Sequence, residues 1–403
     1  VSEHDVRPLA EAEFRDANRV FLSSLHRPAP TDQQWERSTA RYEPGRVFGA
    51  FRSGELVGTT MALGSSLAVP GGAVLPASAV TGVGVRADHT RRGVLRALMR
   101  TQLDDVRDRG EPVAMLHASE AVIYGRFGYG EATRTRTVSL DTHRATLHAD
   151  APSGGSIRLL DKAEAGKILP ELYRRIVSSR PGTISRSDGW WESRLGVFSG
   201  EQMVVAIHTG EDGVDDGFAL YEAKMNDYRF DDGTCELQVG DIRGADAVAT
   251  ASLWRFLLGV DLVDRVVVID RPVDEPLERL LTDRRACRVS SVQDDLWVRL
   301  VDVPAALAAR GYGTAEPVVV EVRDGFLPEN SGSYRIGADG VQRCAAQPQL
   351  SMDVDVLASL YLGDVGVSAL AAGGRVAVHD PAAVAEADRL FAMTEAPWCG
   401  TGF

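Results

Sequence analysis

Apolar positions along the chain fall into short blocks separated by glycine, proline and charged turns, and the blocks predict an α/β protein. Residues 9–25 read as a helix and 33–41 as a second, shorter one. Residues 47–51 and 56–63 read as paired strands joined by the turn Arg52-Ser53-Gly54-Glu55, and Gly71-Gly72 marks a further turn between strands. A strand over 80–85 precedes a helix over 93–109 that puts Leu95, Leu98, Met99, Leu103 and Val106 on one face, and 113–117 is the next strand.

The pattern then repeats in outline. Asp150-Ala151-Pro152-Ser153-Gly154-Gly155-Ser156 is a turn-rich linker. Beyond it come strands at 203–208, 217–222 and 266–269 and an apolar helix at 247–258. A third segment begins near Leu296, with alternating strands at 318–323 and 333–336 and helices at 352–360 and 382–394. With roughly 100–200 residues per domain, 403 residues suit three units, expected at 1–150, 151–292 and 293–403.

Composition narrows the partners. Apolar residues make up 44% and charged residues 25%, which suits a soluble globular chain. The stretch 57–85 carries no charge but is rich in Gly, Pro and Ser, so no segment reads as a membrane span. The start, Val1-Ser2-Glu3-His4-Asp5, does not read as a signal peptide. A net charge of −13 argues against nucleic acid as a partner, because that needs a basic face. Cys235, Cys287, Cys344 and Cys399 are scattered without metal-ligand spacing. They read as free thiols of a cytoplasmic protein, with no metal expected.

The chemistry concentrates between residues 83 and 129. After the strand bearing Val83, Gly84 and Val85 comes the basic turn Thr90-Arg91-Arg92-Gly93-Val94-Leu95, which opens a helix. A helix start presents free N–H groups and the positive end of its dipole, suiting the pyrophosphate of coenzyme A. Taken alone, the turn also reads as two solvated arginines before a helix-start glycine. Beyond the next strand lies His117-Ala118-Ser119-Glu120-Ala121-Val122-Ile123-Tyr124. The unperturbed phenol pKa, near ~10, matches that of an alkyl thiol, so Tyr124 could protonate a departing thiolate. Ser119 could bond the pantetheine or orient Tyr124. A structural tyrosine and a satisfied strand-end His117 are the plainer readings.

These motifs, with Ile123-Tyr124-Gly125-Arg126-Phe127-Gly128-Tyr129-Gly130, resemble the Eis (enhanced intracellular survival) family of GNAT-superfamily N-acetyltransferases. The likeness continues in Asp294-Asp295-Leu296-Trp297 and in Leu357-x-x-Leu360-Tyr361-Leu362-Gly363. It implies two tandem GNAT-like domains, the second degenerate, followed by a sterol-carrier-like α/β domain, assembled as a homohexamer. It implies acetyl-CoA as co-substrate and aminoglycosides, or other small-molecule or peptide amines, as acceptors. It implies Tyr124 as general acid and the α-carboxylate of the final residue, Phe403, as general base. Phe21 and Trp35 are the candidate walls of the acceptor pocket. Two places depart from the family's best-known member, which is acidic at both: Gly402 precedes the terminal Phe, and Ser23-Ser24-Leu25-His26-Arg27 stands upstream of Trp35. Both thin the negative charge around a polycationic acceptor. The rival reading is an apolar-ligand-binding protein with an idle GNAT domain.

Overall fold

The computed structural model describes residues 4–177, 180–196, 203–225 and 235–403, so residues 1–3 of the chain start lie outside the described residues. The first sheet begins with β1 (Asp5–Pro8), β2 (Val47–Arg52), and the long hairpin of β3 (Glu55–Ala68) and β4 (Val74–Val85). β5 (Val113–Leu116) follows, and the short β6 (Gly130–Glu131) lies farther along. Helix α1 (Phe14–Ser24) buries Phe14 and Ala17 on the sheet. Helix α2 (Asp32–Ser38) starts at a capping box in which the Thr31 side chain accepts from the Gln34 amide. Helix α3 (Val94–Asp108) buries Val94, Leu98, Met99, Leu103 and Val106. It packs so closely over β3 that a Cβ at Gly58 would lie 2.7 Å from Val94 Cγ1.

Two features open this sheet. β4 runs parallel to β5 only from Ala77 to Ala79, opposite Val113–Met115, and then leaves it. Its pairing with β3 slips between Gly84 and Thr81, so Gly82 and Val83 face Thr60 alone. Such a bulge bends the strand, and Gly82 supports it with a φ of +60°. The result is a V-shaped gap between the C-terminal ends of β4 and β5.

The next strand, β7 (Arg134–Asp141), leaves the first sheet for a second one. There it joins β8 (Ser156–Leu160), β9 (Val204–Thr209), β10 (Asp215–Met225), β11 (Cys235–Gly244), β12 (Arg265–Pro272) and β13 (Cys287–Asp294). β14 (Trp297–Leu300) then returns to the first sheet and inserts between β5 and β6. The orders are β1-β2-β3-β4-β5-β14-β6 and β13-β7-β12-β11-β10-β9-β8. The sheets do not follow boundaries at 150 and 292: the second sheet takes β7 from residues 1–150, and the first takes β14 from residues 293–403. The reason is geometric, since β7 supplies backbone partners to β12 and β13, and β14 supplies them to β5 and β6.

The third sheet contains β15 (Val318–Arg323), β16 (Gly332–Gly337), β17 (Gly340–Cys344), β18 (Leu350–Asp353) and β19 (Val376–Val378), in the order β17-β16-β15-β18-β19. The expected helix at 352–360 is a strand end followed by helix Val354–Tyr361. That helix lies against β6 so tightly that a Cβ at Gly130 would collide with the Asp355 carbonyl. A fully buried ion pair, Arg299–Asp324 at 2.6 Å, ties β14 to this domain. After helix Ala382–Phe391 the chain crosses the second sheet and ends at the first. No helix among the described residues is long and apolar enough to cross a membrane.

Candidate active site

The basic turn folds as an anion seat. Gly93 caps α3 in a left-handed conformation (φ +83°), with no side-chain cap and no acidic residue in the first turn. The first backbone bond into the helix is Ala97 N–H to Gly93 O, at 3.0 Å, which leaves the preceding amides facing outward. A Cβ on Gly93 would meet nothing within 4 Å, so conformation rather than space selects glycine. Thr90 donates its hydroxyl to Ala87 O (3.0 Å), and the Arg92 carbonyl lies 2.7 Å from His4 Nε2. The side chains of Arg91 and Arg92 are exposed, while Val94 is buried and Leu95 half-buried, so the latter two offer amides rather than side chains.

The predicted strand residues serve different purposes. Val83 and Val85 are half-buried along the open edge of β4. Gly84 instead admits α1: a Cβ there would lie 2.9 Å from Phe21 Cα and 2.7 Å from Ser24 Oγ. Across the gap, β5 ends at Leu116 and the exposed Ser119 leads into helix α4 (Ala121–Tyr124). Tyr124 is buried, with its ring edge-on to Tyr129 at 6.0 Å. Burial pushes its phenol up to about 12, with Arg126 opposing and Glu120 reinforcing.

The chain terminus arrives from the opposite side. Thr81 Oγ1 donates to the Phe403 main-chain oxygen at 3.3 Å, which places Phe403 at the bulge of β4. The Phe403 ring lies 4.7 Å from the His117 imidazole. His117 also faces two carbonyls, Asp295 O at 2.9 Å and Thr401 O at 3.0 Å, so it clamps the tail.

Most of the remaining grip comes from β11 and from Arg186 and Trp190, which lie outside the strands. Arg243 donates to Cys399 O (3.0 Å) and Gly400 O (2.8 Å), and its guanidinium stacks 3.6 Å from the Trp398 ring centre. Arg186 donates to Thr401 Oγ1 (2.9 Å), and Trp190 Nε1 donates to Gly402 O (2.7 Å). Asp241 joins the two arginines, at 2.6 Å from Arg186 and 3.1 Å from Arg243. Burial works to raise its carboxyl, but the two guanidinium groups prevail and hold it down at about 2.

None of these four side chains was singled out in the sequence. The available signal was the spacing Asp241-x-Arg243, which puts opposite charges on one face of a strand. The same tail creates the one potential metal-ligand cluster among the described residues, in which His117, Asp295 and Cys399 offer donors within 4.8 Å of one another. Burial raises the Cys399 thiol well above its ordinary value, favouring the protonated form over the thiolate that ligates metal.

Two cavities meet at Phe403. One, of about 400 Å³, is lined by Phe21, Leu22, Pro30, Arg41, Tyr42 and Met61 among others. The second, of about 310 Å³, includes Arg41, Trp190, Asp270 and Gly402. Phe21 lines the first of these cavities. Trp35 lines neither and packs T-shaped on Tyr42, with ring centres 5.3 Å apart. Val83 and Val85 lie along the open edge of β4, Tyr124 sits in the buried cluster that Val83 packs against, and Phe403 meets Thr81 of the same strand, while Trp35 lies outside both cavities.

Comparisons with known proteins agree with this architecture. Residues 5–132 and 182–300 each match a family model described as acetyltransferase (GNAT) domain, and 303–400 match one described as sterol carrier protein domain. The chain is 38% identical to an uncharacterized N-acetyltransferase of Streptomyces avermitilis, covering 99% of each chain. It is also 38% identical to N-acetyltransferase Eis of Mycobacterium bovis, covering 85% of each. The crystal structure of Eis1 from Mycobacterium abscessus superposes with a TM-score of 0.90 at 38% identity, over 99% of this chain and 100% of that one. The two acetyltransferase domains and the sterol-carrier-like domain match along nearly the whole chain, and the chain belongs to the Eis family of GNAT N-acetyltransferases.

Proposed function

We propose that this N-acetyltransferase moves the acetyl group of acetyl-CoA to a primary amine, with Tyr124 as general acid and the Phe403 α-carboxylate as general base. The observation that carries the proposal is the position of Phe403, hydrogen-bonded to Thr81 at the bulge of β4, the strand whose Val80 and Val83 pack with Tyr124. The open amides of α3 suit the pyrophosphate, and the edge of Val83 and Val85 suits the pantetheine. Acetyl-CoA supplies the thioester. As the C–N bond forms, the Phe403 carboxylate takes the proton that the amine sheds, directly or through one water. As the C–S bond breaks, Tyr124 delivers its proton to the sulfur. A phenol held at about 12 stays protonated at neutral pH, so it is poised to give a proton rather than to take one.

Acceptors are amine-bearing small molecules or peptides, aminoglycosides among them. Thiol release from acetyl-CoA across such a panel tests the reading, with Tyr124→Phe as the decisive variant. The expected loss in kcat is about 100-fold, the lower range for one general acid–base group. Full activity in that variant would remove Tyr124 from the mechanism. The homohexamer rests on the family resemblance, and a monomer by light scattering would delete it.

A further inference from the structure

The cavity between α1, α2 and the tail has an unusual charge pattern. Its charged lining groups among the described residues are Arg27, Arg41 and the Phe403 carboxylate; no Asp or Glu side chain lines it. Arg27 is exposed at this wall. Arg41 is half-buried, lines both cavities, and has no ion-pair partner among the described residues. Its Nε is buried without a hydrogen-bond partner. Burial lowers its pKa, the sign of a cation held away from water without a carboxylate to offset the loss. A buried guanidinium N–H left without a partner is costly, and a bidentate anion is the group the fork fits.

We propose that Arg41 is the anchor of an acceptor-anion subsite, so that the preferred acceptor is an amine that also carries a carboxylate. This rests on the acetyl-transfer reading of the same site. The geometry sets the polarity of the acceptor: the ammonium end turns toward Phe403, the carboxylate end toward Arg41, and an apolar spacer lies against Phe21, Leu22 and Met61. A polycation would instead set one of its charges against Arg41 or Arg27.

The test compares 6-aminohexanoate with hexylamine, a pair that differs only in the carboxylate. The expected kcat/KM ratio favours 6-aminohexanoate by about tenfold or more, the factor that one charge-assisted hydrogen bond supplies. Arg41→Gln should bring the ratio near one, chiefly through KM for 6-aminohexanoate. Arg41→Lys should retain part of the preference. A measurement on the native protein does not depend on the variants folding: hexanoate should inhibit 6-aminohexanoate turnover more strongly than 1-hexanol. Equal turnover of the two amines, or equal inhibition by hexanoate and hexanol, would overturn the subsite while leaving acetyl transfer intact. Absence of thiol release with both hexyl amines while aminoglycosides or lysine peptides still release thiol would overturn the subsite alone, and absence across the whole panel would overturn both.

Discussion

The two GNAT-like sheets have the same topology and opposite fates. In each, a parallel strand pair is linked by one helix and then splays: β4 and β5 around α3, β11 and β12 around helix Ala247–Leu258. The first helix starts at Gly93, bare of side-chain caps. The second starts at Asp246, whose carboxylate accepts from the Ala249 amide at 2.8 Å. An acidic side chain thus occupies the place that an anionic ligand would need. The splay itself differs too. β11 pairs with β12 from Glu236 to Val239, and beyond this Asp241, Arg243 and Asp270 hold the tail. The first splay stays open beside a bare helix start, while residues 398–400 fill the second.

The contrast can be broken from either side. The largest effect is expected from carrying the second helix start into the first. Gly93→Asp puts a carboxylate at the anion seat, at a left-handed position that Asp tolerates better than most residues. KM for acetyl-CoA should rise by about 10- to 100-fold, the factor for one or two lost charge-assisted contacts. Gly93→Asn, of the same shape but uncharged, should rise far less; equal effects would mean that shape rather than charge governs the site.

Loosening the tail comes next. Arg243→Gln leaves Asp241 less well paired in a buried place, and removing a partner there costs about 3–5 kcal/mol. In protein that remains folded, kcat should fall several-fold with KM for acetyl-CoA little changed, because the first splay is untouched. The reverse pattern would place Arg243 in cofactor binding.

Acid should do the same without mutation. The folded-state pKa of Asp241 is depressed, so its contribution is complete above the unfolded carboxylate value of about 4 and is lost as pH falls toward about 2. Hydrogen exchange at the amides of residues 398–401 should accelerate over that window before the first sheet opens. Tyr124 works in the other direction: kcat should show no alkaline fall between about pH 8 and about pH 10 from its phenol.

The smallest effect belongs to Asp246→Ala. Loss of the cap should cost about 1 kcal/mol of stability. It should not create a second cofactor site, because the tail still fills that splay; calorimetry should return one CoA per chain.

Much of this was readable from the chain. The helix expected at 93–109 and observed as Val94–Asp108 shows how firmly a 3.6-residue apolar stripe defines an element. The turn at 90–95 and Tyr124 could be proposed from the sequence because their residue types have chemical reasons to occur in that order. The strand exchange was not visible. Alternation in β7 tells which face is buried, and β14 is buried throughout, but neither pattern tells which sheet supplies the backbone partners. Trp35 was recognisable as an aromatic on a short helix, but whether it faced the cavity or Tyr42 depended on tertiary packing. The grip of Arg186 and Arg243 depends on contacts with residues near the far end of the chain, which no local pattern encodes.

The most direct measurement is steady-state turnover of a chain carrying one extra alanine after Phe403. The addition converts the α-carboxylate into an amide and leaves the cofactor gap alone. The expected result is a kcat lower by about 100-fold or more, with acetyl-CoA binding retained. Undiminished turnover with the alanine present would contradict the assignment of the terminal carboxylate as the base, and with it the role of the second sheet in delivering that carboxylate.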